Sequence, residues 1–216
     1  MKFNFSALAV FALAVLGGTS QAAVVYDNGL PNQQNGNEMT QWIQAEDFTL
    51  ATAAKITDVH FWSVEGLSSY QGSVSWGFYS NVGGVPGALI ASGNTSAVTR
   101  TATGNSLFFG SEFLNDFDIL PVSLAAGSYF LGLHNGLLSV DSRNEYYWET
   151  QATSVGANGQ EDVSPFGVGS WFDNGQEHAF YLTGEATTNP IPEPSSMALV
   201  GLAMCGIGIA RRRKSA

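Results

Sequence analysis

The chain has 216 residues, of which 44% are hydrophobic and 12% charged, about half the roughly 25% charged share of an average globular protein; it holds one full-sized domain plus short appendages. Lys2 and the run Arg211, Arg212, Arg213, Lys214 place five of the eight basic residues at the two ends, with only one of 18 acids, Glu193. The stretch between has three basic and 17 acidic side chains, a net charge of −14 that repels phosphate backbones and argues against nucleic acid as a partner.

The front of the chain reads Met1-Lys2, an apolar stretch from Phe3 to Leu16, then Gly17-Gly18-Thr19-Ser20-Gln21-Ala22. A short basic region, an apolar core and small residues at the −3 and −1 positions form a signal peptide over residues 1–22. Cleavage by signal peptidase is expected between Ala22 and Ala23; the alternative is an uncleaved anchor, for which the run is short.

Residues 23–184 read as one extracytoplasmic β domain. Short runs rich in β-branched and aromatic residues alternate with Gly, Asn, Pro and Ser clusters. Strands are expected at 46–50, 55–63, 73–80, 88–92, 97–103, 115–120, 127–134, 146–150 and 177–183. Alternation with a period of two is visible in several: Val74, Trp76 and Phe78 oppose Ser73, Ser75 and Gly77. No apolar stripe of helical period is sustained between caps. Nine strands with frequent turns predict an all-β fold, an antiparallel two-sheet sandwich of jelly-roll type. Gly83-Gly84-Val85-Pro86-Gly87 reads as a loop, and Asp27-Asn28-Gly29 and Asp173-Asn174-Gly175 as tight turns. The one cysteine, Cys205, falls outside this domain, which therefore has no internal disulfide.

Within the domain there is no nucleophile elbow, phosphate loop or HExxH helix. His60, His134 and His178 fall on three different strands without short ligand spacing. Acids pair at Glu46-Asp47, at Glu161-Asp162, and at Asp116 with Asp118, which share a strand face in the way a glycosidase pair requires. Loop oxygens are plentiful in Asp27, Asn28, Glu46, Asp47, Asp173, Asn174 and Glu177. They make calcium the one cofactor with candidate ligands, chiefly Asp27, Asp47 and Asp173. Trp42, Trp62, Trp76, Tyr146, Tyr147, Trp148 and Trp171 supply large rings, most of them core material. Trp62 is out of phase with Val59 and Phe61, and Tyr146-Tyr147-Trp148 puts rings on both faces of one strand. Trp62 and Tyr147 are therefore the candidates for stacking on a glycan.

A linker at 185–190 leads to Pro190-Ile191-Pro192-Glu193-Pro194, where three prolines forbid helix and strand alike. The run 197–210 carries no charge, and Arg211, Arg212, Arg213 and Lys214 follow at once. Fourteen helical residues reach about 21 Å, short of a hydrocarbon core of roughly 30 Å, and snorkelling Arg stems narrow the gap. A single membrane helix with a cytoplasmic basic stop is expected. Pro192, Glu193 and Pro194, the short apolar helix and the basic end resemble the PEP-CTERM sorting signal of Gram-negative bacteria, a tail family that also carries an ice-binding C-terminal label. The resemblance implies recognition by an exosortase, a membrane protease-transpeptidase that processes the tail near Pro-Glu-Pro. It implies an address rather than an activity. Trp76-Gly77-Phe78-Tyr79, Gly84-Val85-Pro86-Gly87 and Ser123-Leu124-Ala125-Ala126-Gly127-Ser128-Tyr129 are similar to the β ectodomains that often precede such tails.

The expectation is an exported protein, first an inner-membrane-anchored precursor and then a component of the envelope, surface or medium. It is expected to be non-enzymatic, a structural or glycan-associated module. The link to exopolysaccharide is implied by the resemblance alone. Its charge favours a neutral polysaccharide as partner. The rival expectation is a carbohydrate-active hydrolase using Asp116 and Asp118.

Overall fold

The computed structural model describes residues 22–108, 110–153, 156–162 and 170–187. Among these residues there are thirteen strands and no helix. One sheet contains β1 (Ala23–Asp27), β2 (Pro31–Glu38), β4 (Ala54–Glu65), β7 (Thr99–Leu107), β8 (Gly110–Leu124), β10 (Tyr146–Gln151) and β13 (Phe180–Ala186). The second contains β3 (Ile43–Leu50), β5 (Val74–Asn81), β6 (Pro86–Thr95), β9 (Gly127–Asn135), β11 (Gln160–Asp162) and β12 (Trp171–Asp173), in the order β12-β11-β3-β9-β5-β6. Every ladder in both sheets is antiparallel.

The first sheet is built around β4. One edge of β4 pairs along its length with β8, and β7 lies beyond. The other edge forks: residues 54–61 pair with β13, backed by β1, and residues 63–65 pair with β10, backed by β2. Alternation in β4 changes phase once. Ile56, Val59 and Phe61 are all fully buried, which a strict period of two forbids. Register irregularities between Ile56 and Asp58, and between Thr183 and Gly184 on the facing strand, absorb the extra residue. A Cβ on Gly184 would lie 2.2 Å from the Lys55 carbonyl oxygen, so only glycine fits where the bulged strands close up.

Between the sheets Phe48 meets the rings of Tyr26, Phe78, Tyr129 and Phe180 at 5.6–6.4 Å. Trp148 meets Phe61 and Phe180 edge-on, and its indole N–H donates to the Ala179 carbonyl at 2.9 Å. Each such side chain contributes roughly 1.5–3 kcal/mol of burial, which lets a cysteine-free domain hold together.

All nine expected strands are present, most of them longer than expected. Strands β1, β2, β11 and β12 were not expected, because Pro31–Glu38 is almost wholly polar and the other three are very short or lie in turn-rich sequence. Pro86 and Gly87 open β6 and do not belong to the preceding loop. The expected linker at 185–190 begins too early: Glu185 and Ala186 still pair with β4, and the Thr187 N–H donates to the Ala53 carbonyl. Ala23 opens β1 opposite Gly184. No helix among the described residues is long and apolar enough to cross a membrane. The run 197–210, Pro192, Glu193, Pro194 and Arg211 to Lys214 lie outside the described residues, as does the signal peptide before Ala22.

Gly184→Ala is expected to lower stability by about 3 kcal/mol through overpacking. Gly104→Ala, at φ +88° with open space around it, is expected to lose only about 1 kcal/mol from backbone strain. Urea denaturation of both variants checks this, and equal losses would contradict the close approach of β13 to β4.

Candidate functional site

Strand β10 turns Tyr146 and Trp148 into the core and Tyr147 and Glu149 to the opposite face. Tyr147 is half-buried in a hollow shared with Asn35, Gly36, Phe108, Arg143 and Glu145. Its hydroxyl accepts from the Arg143 guanidinium and donates to Glu145 Oε2, both at 3.3 Å. Phe108 is 63% exposed. Gln33, Phe108 and Glu145 hold left-handed φ values of 60°, 55° and 56°, three of the four non-glycine cases among the described residues. Such backbone strain gathers where a fold commits side chains to a particular arrangement. Trp62 does face away from Phe61, but it is only 8% exposed and packs against Tyr181. Its covered ring offers a sugar little face to stack on.

Next to the Tyr147 hollow, two carboxyls meet between residues of β2 and β7, the strands that flank β10 and β8. Glu149 is 0% and Glu112 2% exposed. Glu149 Oε1 accepts from the Gln33 backbone N–H at 3.1 Å, while Glu112 accepts from the side-chain amides of Gln33 and, at 3.1 Å, Asn105. Burial, together with the Glu112 carboxyl beside it, pushes Glu149 up to about 8. Burial also opposes ionisation of Glu112, but bonds from Thr103, Glu149, Asn105 and Gln33 outweigh it and hold that carboxyl below the usual range. Glu149 therefore carries the proton of the pair at neutral pH.

A second acid cluster lies near the fork of the first sheet. Glu46, Asp47 and Glu177 are buried, with one oxygen of each within 4.8 Å of the others, close enough to share a cation. His178 Nδ1 lies 2.7 Å from Glu46 Oε2 and Nε2 lies 3.2 Å from Asn37 Oδ1. Burial pushes His178 down to about 3 and Glu46 well up. A neutral pair, with Glu46 donating to Nδ1 and Nε2–H donating to Asn37, satisfies both rows of contacts. All three acids were among the oxygens expected to suit calcium, but of the chief candidates Asp27, Asp47 and Asp173 only Asp47 belongs to this cluster. Asp27 and Asp173 instead close their own turns, accepting from the Gly29 and Gly175 N–H groups at 2.8 and 2.7 Å.

Asp116 and Asp118 both lie on β8, opposite His60 and Asp58 of β4. Asp116 Oδ1 is 2.5 Å from His60 Nδ1, and His60 stacks on Tyr181 at 4.0 Å. Asp118 is raised by its hydrogen bond to Asp58 and by that neighbour's charge. His60 Nε2 also reaches the Thr183 hydroxyl at 3.1 Å, but that hydroxyl donates its proton to Asp58 at 3.0 Å. His60 is thus not placed to activate Thr183 as a nucleophile.

One feature of the second sheet had no counterpart in the sequence reading. Gly77 and Gly132 pair across β5 and β9, and a Cβ on either would press on the Tyr79 ring at 3.1 or 2.9 Å. Without those side chains the ring lies over the sheet, where Trp171 meets it edge-on at 5.4 Å. The groove beside it has a volume of about 380 Å³. Ser75, Ser92, Asn94 and His134 line its polar side, and Ile43, Leu89, Leu137 and Leu138 its apolar side. None of its lining residues is an acid, lysine or arginine, and burial lowers the pKa of His134, keeping it neutral at pH 7. Two glycines facing one another within apolar strands are the sequence signal for this close approach.

Residues 190–214 match the family model of the PEP-CTERM protein-sorting motif. The chain thus carries the sorting signal of an exported protein that is processed by an exosortase, a membrane protease. No curated protein matches the chain.

The folded state keeps the Glu149 proton up to about pH 8, whereas an unfolded glutamate releases it near 4.3. Stability should fall as pH rises between those values, by up to about 1.4 kcal/mol per pH unit, and level off above. Urea titrations in chelator are expected to show a weaker decline in Glu149→Gln, and superimposable profiles would contradict the assignment. Replacing Pro192, Glu193 and Pro194 with alanine should stop tail processing in a host with a matching exosortase while export continues. Immunoblots showing normal loss of the tail would remove the motif from that role.

Proposed function

We propose that the exported domain is a non-enzymatic module that binds a neutral glycan in the Tyr79 groove. The observation that carries this reading is an uncharged groove in a domain of net charge −14. Its volume falls in the usual range for small-molecule sites, roughly 300–1,000 Å³. A pyranose presents an apolar C–H face that suits the Tyr79 ring and the leucine rim. Its hydroxyls suit Ser92 and Asn94, both exposed, and no carboxylate lines the groove to repel or select charge. The groove also lacks a paired nucleophile and base: the His134 nitrogens face the Gly136 and Val140 carbonyls, and Ser75 donates to Gly136. The rival hydrolase reading is the weaker one, because Asp116 and Asp118 are engaged by His60 and Asp58.

Ser92→Trp fills the groove from an exposed position and should leave stability within about 0.5 kcal/mol of the parent. Binding on a glycan array is expected to be lost in Ser92→Trp and kept in Tyr147→Ala. Loss in Tyr147→Ala alone would move the site to the hollow on the other sheet. Absence of any neutral ligand, or hydrolysis of a bound one, would overturn the proposal.

A further inference from the structure

We propose that Glu112 and Glu149 form a calcium site together with the side-chain amides of Gln33 and Asn105. The four side chains come from β8, β10, β2 and β7, and they converge on one buried point away from the Tyr79 groove. Glu149 is 0% exposed, and its Oε2 is reached by no amide, hydroxyl or ring N–H donor. A bound cation, or a proton shared with Glu112, satisfies that oxygen.

The surrounding groups suit the cation. Gln33 and Asn105 now turn amide nitrogens toward Glu112, and a half-turn of each amide presents its oxygen instead. Two bidentate carboxylates and two amide oxygens make six ligands, the lower end of the range calcium takes. Gln33 and Asn105 are exposed, so an ion enters between them without opening the sheet. The flexible glutamate and amide arms suit calcium better than magnesium, which demands near-ideal octahedral geometry. The Gln33 backbone, strained at φ 60°, directs its N–H and its side chain to the two different carboxylates. The site shares no residue with Glu46, Asp47 and Glu177.

The test uses the purified full chain, stripped with chelator and then titrated with calcium chloride or with terbium, whose emission Tyr147 and Trp148 sensitise from neighbouring positions. Calcium is expected to raise the melting temperature and to quench the terbium emission by displacement. Both responses should vanish in Glu149→Gln and weaken in Asn105→Ala, an exposed change that leaves the core untouched. Glu177→Gln should keep the terbium emission. Three results overturn the proposal: no response to millimolar calcium, the same response in Glu149→Gln and Asn105→Ala as in the parent, or loss of emission in Glu177→Gln alone. The first of these means that the pair holds a proton only.

Discussion

Strand β4 is the constraint from which the rest of the molecule follows. Its backbone is paired on one edge with β8 and on the other with β13 and then β10, so one strand fixes the register of three. Each register decides which side chains face inward, since a one-residue slip would turn every side chain to the opposite face. The bulge at Thr57 lets Ile56, Val59 and Phe61 all point inward, and Gly184 lets β13 follow that bend. The change of partner near Trp62 also creates the fork. There the Trp62 N–H donates to Ala179 and the Ala179 N–H donates to Glu149, stitching β4, β10 and the start of β13 together.

Buried polar groups complete that frame. Asn115 donates to Ser63 and Asn135 to Thr40, both at 2.8 Å, and the Arg100 guanidinium sits over the Tyr70 and Phe113 rings while bonding Glu65. With no disulfide available, these directed contacts restrict how the sheets can pack, where apolar burial alone is tolerant of alternatives. The carboxyl pairs are the costly part of this arrangement. Glu149 beside Glu112 puts like groups together out of reach of solvent, so a proton or a cation is part of the folded structure there; Asp118 beside Asp58 is exposed, and its carboxyl is only raised by that neighbour.

The sequence was informative where a side chain's own chemistry decides its place. Nine strands were legible from β-branched and aromatic runs between turn residues, several of them from alternation, and the opposition of Trp62 to Phe61 came from phase alone. Phase says which face a ring is on; it does not say what lies over that face. Trp62 is covered by Tyr181 from a strand more than a hundred residues away, and no local pattern contains that. Polar β2 was missed because its pairing with β10 is a backbone property, while Pro31-Asn32-Gln33-Gln34-Asn35-Gly36 carries every compositional mark of a loop. The same gap hid the Glu112–Glu149 pair, since Gln33 closes over Glu149 only once β2 is paired with β10. The groove is defined by what Gly77 and Gly132 lack, and strand pairing had to be known before those two absences could be seen together.

The position of β13 has a mechanical consequence. The strand is bonded along both edges, to β1 and to β4, and among the described residues it is the last strand before the sorting signal. Any tether holding the chain beyond residue 187 therefore pulls β13 along its own axis. Hydrogen bonds of antiparallel neighbours lie across that axis, so two rows share the load in shear and are not opened one at a time like a zipper. Force applied at that end meets a strand laced along both edges. The short polar strand β2, which borders β10 alone, lies off that line of tension.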